Sequence, residues 1–422
     1  MPKRVLAETK FVFHGVGQGL FYSGEINLPK NGTLRFIYDC GSEDIRIINN
    51  SINRFKQDVE DNEIDLLIIS HLHSDHISGL DELFNNFTIK EVILPYLYPK
   101  ERILIALRRI NMPTWYYDFL SDPAKYLFER GVKRTIVLGG EEGGEGKIPP
   151  EEVSPSPPEG EAPSKLDIGE LPDDKKLKEK IMRHDKNWKS YIENNQLLVK
   201  NHSGYATALG LWLFIFFNYK ITPSALQDFE RCFVENGLEI NDENTKSAIR
   251  DRRRLRDLKR CYTYLGRYLK NDFNNTSLVL YHGPAGRPKI KTSFLCFCPC
   301  CFYNPCVWLH RIFFRGIDSY FGQFLTGDID FNMKYDELIK HYASYLKNIS
   351  IAQVPHHGAR KNWNSSIISN IPNCDFWIIS AGFRNRYRHP SYKVIEDVCL
   401  KGKECFWINE ISHIRIRGET IW

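Results

Sequence analysis

Apolar residues along this chain fall in short runs that alternate with amphipathic stretches, a pattern that predicts strands and helices in turn. Lys10 to His14, Leu20 to Ile26 and Leu34 to Tyr38 read as short strands, with Val16-Gly17-Gln18-Gly19 between the first two and Asp39-Cys40-Gly41-Ser42 closing the third. A helix is expected from about Ile45 to Phe55. The run Ile64-Asp65-Leu66-Leu67-Ile68-Ile69-Ser70 predicts a buried strand. A helix near Ser78 to Asn85 and a strand at Glu91-Val92-Ile93-Leu94, closed by Pro95, continue the alternation. Strands alternating with helical patterns point to an α/β architecture.

The rhythm breaks after Gly139. From there to Ser164 the chain carries Gly-Gly and Pro-Pro pairs with several glutamates and almost no large apolar side chain, so it cannot bury a core and is expected to be a flexible linker. From about Leu171 to Asn271 the pattern is rich in helix around the apolar strand Leu211 to Tyr219. Leu255, Leu258, Tyr262, Leu265 and Leu269 recur at helical spacing. The opposite face carries Arg250, Arg252, Arg253, Arg254, Arg256, Lys259 and Arg260 against Asp251 and Asp257, which suits phosphate binding and equally suits a solvated surface. Strands resume at Ser277 to Tyr281. The expected organisation is therefore a core in two halves, 1–138 and 272–422, separated by a linker over 139–170 and a mostly helical, basic insertion over 171–271.

Composition adds limits. The 422 residues are 42% hydrophobic and 26% charged with a formal charge of +5, an ordinary globular balance that does not by itself call for nucleic acid. The longest apolar run, Ala208 to Phe217, is too short to span a bilayer. Met1-Pro2-Lys3-Arg4 leads into no secretory signal, so a cytoplasmic location and reduced thiols for the 11 cysteines are expected. Cys296, Cys298, Cys300, Cys301 and Cys306 crowd into a loop at about 286–310. They could hold a structural zinc, although the usual paired spacing is missing and buried thiols often pack as small apolar groups.

The candidate chemistry lies where strands end. His71-Leu72-His73-Ser74-Asp75-His76 follows the strand at Ile64 and offers three imidazoles and a carboxylate. Such donors suit zinc, manganese or iron. In an extended segment His71 and His73 point to the same side and can share an ion, leaving Asp75 and His76 for a second. Later strand ends add Asp328, after Phe324-Leu325-Thr326-Gly327, and His356-His357-Gly358, after Ile351-Ala352-Gln353-Val354-Pro355. His389 stands in Asn385-Arg386-Tyr387-Arg388-His389-Pro390, beyond the strand Asp375 to Ser380.

The ordered motifs His-x-His-x-Asp-His, Thr-Gly-Asp, His-His-Gly and Asn-x-Tyr-x-His-Pro resemble the metallo-β-lactamase superfamily, and most of all the branch that contains the soluble domain of the competence protein ComEC. The resemblance covers roughly residues 10–138 and 272–420. It implies an αββα sandwich with two divalent metal ions, zinc foremost, at one edge. It assigns His71 and His73 to the first ion, Asp75 and His76 to the second, Asp328 as bridge, and His356 and His389 as further ligands. His357 is then the neighbour of His356, with a proton-transfer role alongside Asp75, while His202 or His282 could supply another ligand. The expected activity is metal-dependent hydrolysis, foremost of a phosphodiester in DNA or RNA. A small ester, lactone, lactam or nucleotide signal is the second reading, and a non-catalytic interaction protein the third. The insertion is the expected place for nucleic acid or a protein partner to dock.

Overall fold

The computed structural model describes residues 5–29, 32–139, 153–156, 165–218, 231–235, 237, 241–269, 277–297, 313–318 and 320–422. The chain begins with β1 (Leu6–Phe13), β2 (Phe21–Leu28), β3 (Gly32–Cys40), α1 (Ile45–Asp58), β4 (Glu63–Ile68), α2 (Ser74–Ile77), α3 (Leu80–Asn86) and β5 (Thr88–Pro95). It continues through α4 (Pro99–Arg108), α5 (Thr114–Ser121), α6 (Pro123–Glu129), β6 (Arg134–Gly139), β7 (Leu166–Asp167), α7 (Lys175–His184) and α8 (Lys189–Glu193). Then come β8 (Leu197–Asn201), β9 (Tyr205–Ala208), β10 (Trp212–Phe217), α9 (Asp242–Arg250), α10 (Arg252–Leu269), β11 (Val279–Pro284), β12 (Lys289–Phe297), β13 (Phe313–Asp318) and β14 (Gly322–Leu325). The last elements are α11 (Phe331–His341), β15 (Ile349–Gln353), α12 (Ser366–Asn370), β16 (Phe376–Ser380), α13 (Tyr392–Leu400), β17 (Glu404–Ile408) and β18 (His413–Ile421).

These strands form two sheets, ordered β13-β12-β18-β1-β2-β3-β4-β5-β6-β8 and β17-β16-β15-β14-β11-β10-β9-β7. Pairing is parallel from β3 to β8 in the first and from β14 to β17 in the second, and antiparallel elsewhere. Phe11, Tyr22, Phe36, Trp212, Phe214 and Ile351 fill the space between the sheets. Ile52, Leu83, Leu104 and Phe119 pack under helices outside the first sheet, and Ile215, Tyr342, Trp377 and Val394 outside the second. The protein is thus an αββα sandwich, as the resemblance implied. Strands such as β4 and β10 are apolar on both faces because they lie between the partner sheet and a helical layer, whereas β1 and β18 alternate and turn Glu8, Arg417 and Glu419 outward.

The span 171–271 departs from the mostly helical insertion that its pattern suggested. β8 extends the first sheet, and β9 and β10 extend the second. All six residues of β10 are buried, Trp212, Phe214 and Phe216 toward the inter-sheet core and Leu213, Ile215 and Phe217 toward the outer one. A six-residue apolar run with both faces covered is a central strand, not part of an added module. Among the described residues, α7 and α8 precede β8, and the helices after β10 include α9, which packs on α4 and α5, and α10, which packs on α4. Most of the linker expected over 139–170 lies outside the described residues, as do Cys298, Cys300, Cys301 and Cys306. Cys296 falls within β12. The cysteines are not uniformly reduced: Cys232 is disulfide-bonded, whereas Cys40, Cys374, Cys399 and Cys405 are free.

His282 is a core residue rather than a ligand. Its Nδ1 accepts from Trp212 Nε1 at 3.1 Å, and its Nε2–H faces the Tyr22 hydroxyl at 2.9 Å, which in turn donates to Gln323. Burial pushes its pKa down to about 3. Because this lies below the unfolded value of about 6.5, the neutral ring favours the fold fully above that pH, and the contribution is lost as pH falls toward the folded value. Urea denaturation is expected to lose about 2 kcal/mol through this one residue between about pH 7 and pH 5. His282→Asn should flatten the slope; an unchanged slope would place the proton uptake elsewhere.

Candidate metal centre

The chain leaves β4 at Ile68 and turns inward at the edge where the two sheets meet, with the Leu278 amide donating to the Ser70 carbonyl at 2.7 Å. His71 and His73 sit on the extended segment before α2 with their ring centroids 4.8 Å apart, on the same side as the period-two rule requires. Asp75 and His76 belong to the first turn of α2. Gly41 lets the turn after β3 press against this helix, since a Cβ there would meet the backbone of Asp75 and His76.

Outer partners hold three of the imidazoles in one tautomer. His76 Nδ1–H donates to Asp39 at 2.7 Å, His357 Nδ1–H to the Ser380 carbonyl at 2.8 Å, and His71 Nδ1 lies 3.0 Å from the Ser70 hydroxyl. Asp39 is fully buried in the left-handed region at φ 57° and also accepts from the Ser70 amide and hydroxyl. Each of these rings therefore presents its Nε2 inward, the orientation that outer-shell hydrogen bonding imposes on metal-binding histidines.

The inward atoms converge on Asp328, which leaves the end of β14 with its amide bonded to the Ser277 hydroxyl. Asp328 Oδ1 lies 3.2 Å from His76 Nε2 and 3.6 Å from His357 Nε2, while Oδ2 lies 3.8 Å from His71 Nε2 and 3.9 Å from His356 Nε2. Asp75 Oδ2 is 3.4 Å from His357 Nε2. Donor atoms of Asp75, His76, Asp328 and His357 all lie within 4.8 Å of one another, and so do those of His71, His73 and Asp328. The Nε2 atoms of His71, His76 and His357 and Oδ1 of Asp328 are buried without a hydrogen-bond partner. Buried polar atoms left unpaired are costly, and four aimed at one another fit a cation.

The charges agree with that fit. Burial lowers His71 and His73 well below the ordinary histidine value, reinforced by His76 for the former and Arg108 for the latter, so both offer neutral lone pairs. Burial works against ionisation of Asp328, yet His356, His357 and His76 hold it well below the carboxylate range. For His76 burial again opposes the charge, and Asp328 with Asp39 overrides it to raise the pKa.

Residues 28–168 match the family model of the metallo-beta-lactamase superfamily. Over that third of the chain the sequence is similar to the metallo-beta-lactamase superfamily. The matched span holds the His71 to His76 cluster, whereas Asp328, His356 and His357 lie beyond it. No curated protein matches the chain. Among solved structures it is similar to a long-form RNase Z from yeast at 10% identity and a TM-score of 0.30, over 96% of this chain and 41% of that one. The chain thus spans about two fifths of that protein's length. The His and Asp cluster described above offers donor atoms that could hold a metal ion.

The geometry revises the later histidines. His357, not His356, joins Asp75, His76 and Asp328, while His356 faces the second oxygen of Asp328. His389 stands one step outward, its ring 5.9 Å from His356 and 6.5 Å from His357. His202 lies away from the cluster, donating to the Gly139 carbonyl beside His341. Sequence reasoning passed over Asp39, Ser70, Ser277 and Arg108. Asp39 closes a strand, a signal that could have marked it. Arg108 had none, since it ends the ordinary helix α4, yet its guanidinium donates to the His73 ring at 2.8 Å.

The basic stripe divides. Arg250 pairs with Asp118, Arg252 donates to the Met112 carbonyl and lies over the Tyr117 ring, and Lys259 caps the Leu107 and Arg108 carbonyls. Arg253, Arg254, Arg256 and Arg260 face solvent. Among the described residues no helix is long and apolar enough to cross a membrane.

Proposed function

We propose that the protein is a phosphodiesterase acting on DNA or RNA with two divalent metal ions, zinc foremost and manganese or iron as alternatives. The observation that carries this reading is the division of Asp328, one oxygen toward His76 and His357 and the other toward His71 and His356. A carboxylate so placed suits a bridge between two neighbouring cations. His71 and His73 would hold one ion, and Asp75, His76 and His357 the other, with Arg108 leaving the His73 ring as the first is bound. Bound ions would supply hydroxide near neutral pH and polarise the scissile group.

The chain's own residues do the rest. Asp39 and Ser70 keep the rings oriented, Asp75 fixes the reacting oxygen from the His357 side, and His389 at the open side is placed to serve the leaving oxygen. The solvent-facing arginines of α10 supply charge for a polyanion, and Lys259 ties that helix to the end of α4 from which Arg108 reaches His73. The motif order resembles the ComEC-containing branch, which agrees with a nucleic-acid substrate. Incubation of the metal-loaded protein with single-stranded DNA, duplex DNA, RNA and bis(p-nitrophenyl) phosphate tests this, with Asp75→Ala as blank. Cleavage is expected in at least one nucleic acid and in the small diester, at least about a hundredfold above the variant. Activity equal to the blank on all four would overturn the reading, and turnover of a lactone or ester instead would move it to small-molecule hydrolysis.

A further inference from the structure

The loop after β16 carries the sequence Phe383-Arg384-Asn385-Arg386-Tyr387-Arg388-His389, in which aromatic and basic residues interleave. It is firmly held. The Asn385 amide group donates to the Gly382 and His389 carbonyls at 2.6 and 2.5 Å, its Oδ1 accepts from the Tyr387 and His389 amides, and the Phe383 amide donates to the Glu410 carboxylate. With its backbone satisfied internally, the loop turns its side chains outward. Phe383 is 51% exposed, Tyr387 38% and Trp407, beside it on β17, 37%. Arg384, Arg386 and Arg388 are all exposed.

The rings are arranged as a platform that leads to the metal centre. Phe383 and Trp407 lie 5.2 Å apart, the Arg386 guanidinium lies 4.9 Å over the Tyr387 ring, and Tyr387 stacks on His389 at 5.7 Å and 28°. His389 in turn is 6.5 Å from His357. Large aromatic faces kept in water by a rigid loop cost hydrophobic free energy and contribute nothing to the core. Flat π-faces beside fixed positive charges are what unpaired bases and their phosphates recognise, whereas bases stacked within a duplex cannot reach such rings.

We propose that this loop and Trp407 form a binding platform for a single-stranded polynucleotide, with bases stacking on Phe383 and Tyr387 and phosphates meeting Arg384, Arg386 and Arg388, and that it feeds the strand past His389 to the metal centre. This deepens the phosphodiesterase reading and rests on it for the fate of the bound strand. Glu43 lies beside the platform, 4.0 Å from the Arg386 guanidinium and accepting from the Tyr387 hydroxyl at 3.1 Å, which fixes both side chains and leaves the net positive charge to Arg384 and Arg388. The wide tolerance of stacking makes the platform selective for unpaired strand over duplex rather than for sequence.

Binding of fluorescent oligothymidylate, oligouridylate and a duplex of the same length, followed by polarisation in chelator, tests the platform without catalysis. Wild type is expected to bind both single strands more tightly than the duplex, and the ratio of the two single strands tells DNA from RNA preference. Phe383→Ala should weaken single-strand binding about tenfold, and the pair Arg384→Glu, Arg386→Glu should also flatten the salt dependence. Metal-loaded variants should keep wild-type hydrolysis of bis(p-nitrophenyl) phosphate, which reports an intact fold and centre. Single-strand affinity within about twofold of wild type in both variants, or equal preference for duplex, would overturn the proposal. A protein that binds the strand but cleaves no phosphodiester leaves the platform standing and removes the nuclease reading. One that cleaves the small diester yet binds no strand does the reverse.

Discussion

Asp328→Ala is expected to lower the bound divalent metal, two ions per chain on the proposed reading, to at most one and to cut the proposed phosphodiester hydrolysis by more than about a hundredfold. The magnitude follows from position. Groups that merely orient a ligand are worth roughly 10–100-fold in affinity, and Asp328 lies nearer the cation positions than Asp39 or Ser70, which act through His76 and His71. It is also shared: 3.2 Å from His76 Nε2 through one oxygen and 3.8 Å from His71 Nε2 through the other, so its removal weakens both groups at once. Loss of the carboxylate also leaves Asp39 alone against burial in raising the His76 pKa, so that pKa falls and the loss of metal does not come from added proton competition at the ring. Metal content after dialysis against a weak chelator, measured beside thermal unfolding in excess chelator, separates a binding defect from a folding one. Retention of two tightly held ions by the variant would exclude a bridging role for Asp328.

The parts of the centre that were legible in the sequence are those whose neighbours in space are also neighbours along the chain. His71 to His76 could be read because the donors are contiguous and follow a buried strand, and Asp328 because an apolar run ends on it. His356 and His357 could not be ranked. The alternation argument presumes extended backbone, and both residues have positive φ, 47° and 56°, so the turn carries the second ring rather than the first toward Asp75. His282 looked like a spare ligand until Trp212 and Tyr22, distant in sequence, closed on both its nitrogens. The α/β alternation was legible through the strand runs and the αββα sandwich only through the motif resemblance, whereas the roles of β8 and β9 were not legible, because short strands with mixed polarity take their place in a sheet from their partners. Arg108 illustrates the same limit from the other side, since an arginine at the end of a helix is unremarked until the helix is docked.

Asp185→Ala is expected to cost roughly 3–5 kcal/mol of folding stability, although it lies outside the centre. The carboxylate is fully buried and accepts from Arg102 at 2.6 Å, Lys246 at 2.8 Å and the Tyr96 hydroxyl at 2.9 Å. Arg102 is also buried on α4, and Lys246 belongs to α9, so one carboxylate joins the sandwich to its added helices. Burial alone would raise the Asp185 pKa, but Arg102 and Lys246 lower it, and the pair therefore stabilises the fold above the unfolded carboxylate value of about 3.9 and loses that effect as pH falls. Removing the acid strands a guanidinium in the core, which is far worse than losing an exposed ion pair worth about 1 kcal/mol or less. Replacing Arg102 by Met in the same chain should restore part of the loss, because the stranded charge is then gone. Urea denaturation of the two single variants and the double variant gives the coupling directly, and a cost below about 1 kcal/mol for Asp185→Ala would show that the buried pair does not join the two parts. The effect should reach the centre as well: α4 ends at Arg108 against His73, so a loosened α4 is expected to alter metal affinity at His71 and His73 before it alters affinity at Asp75, His76 and His357.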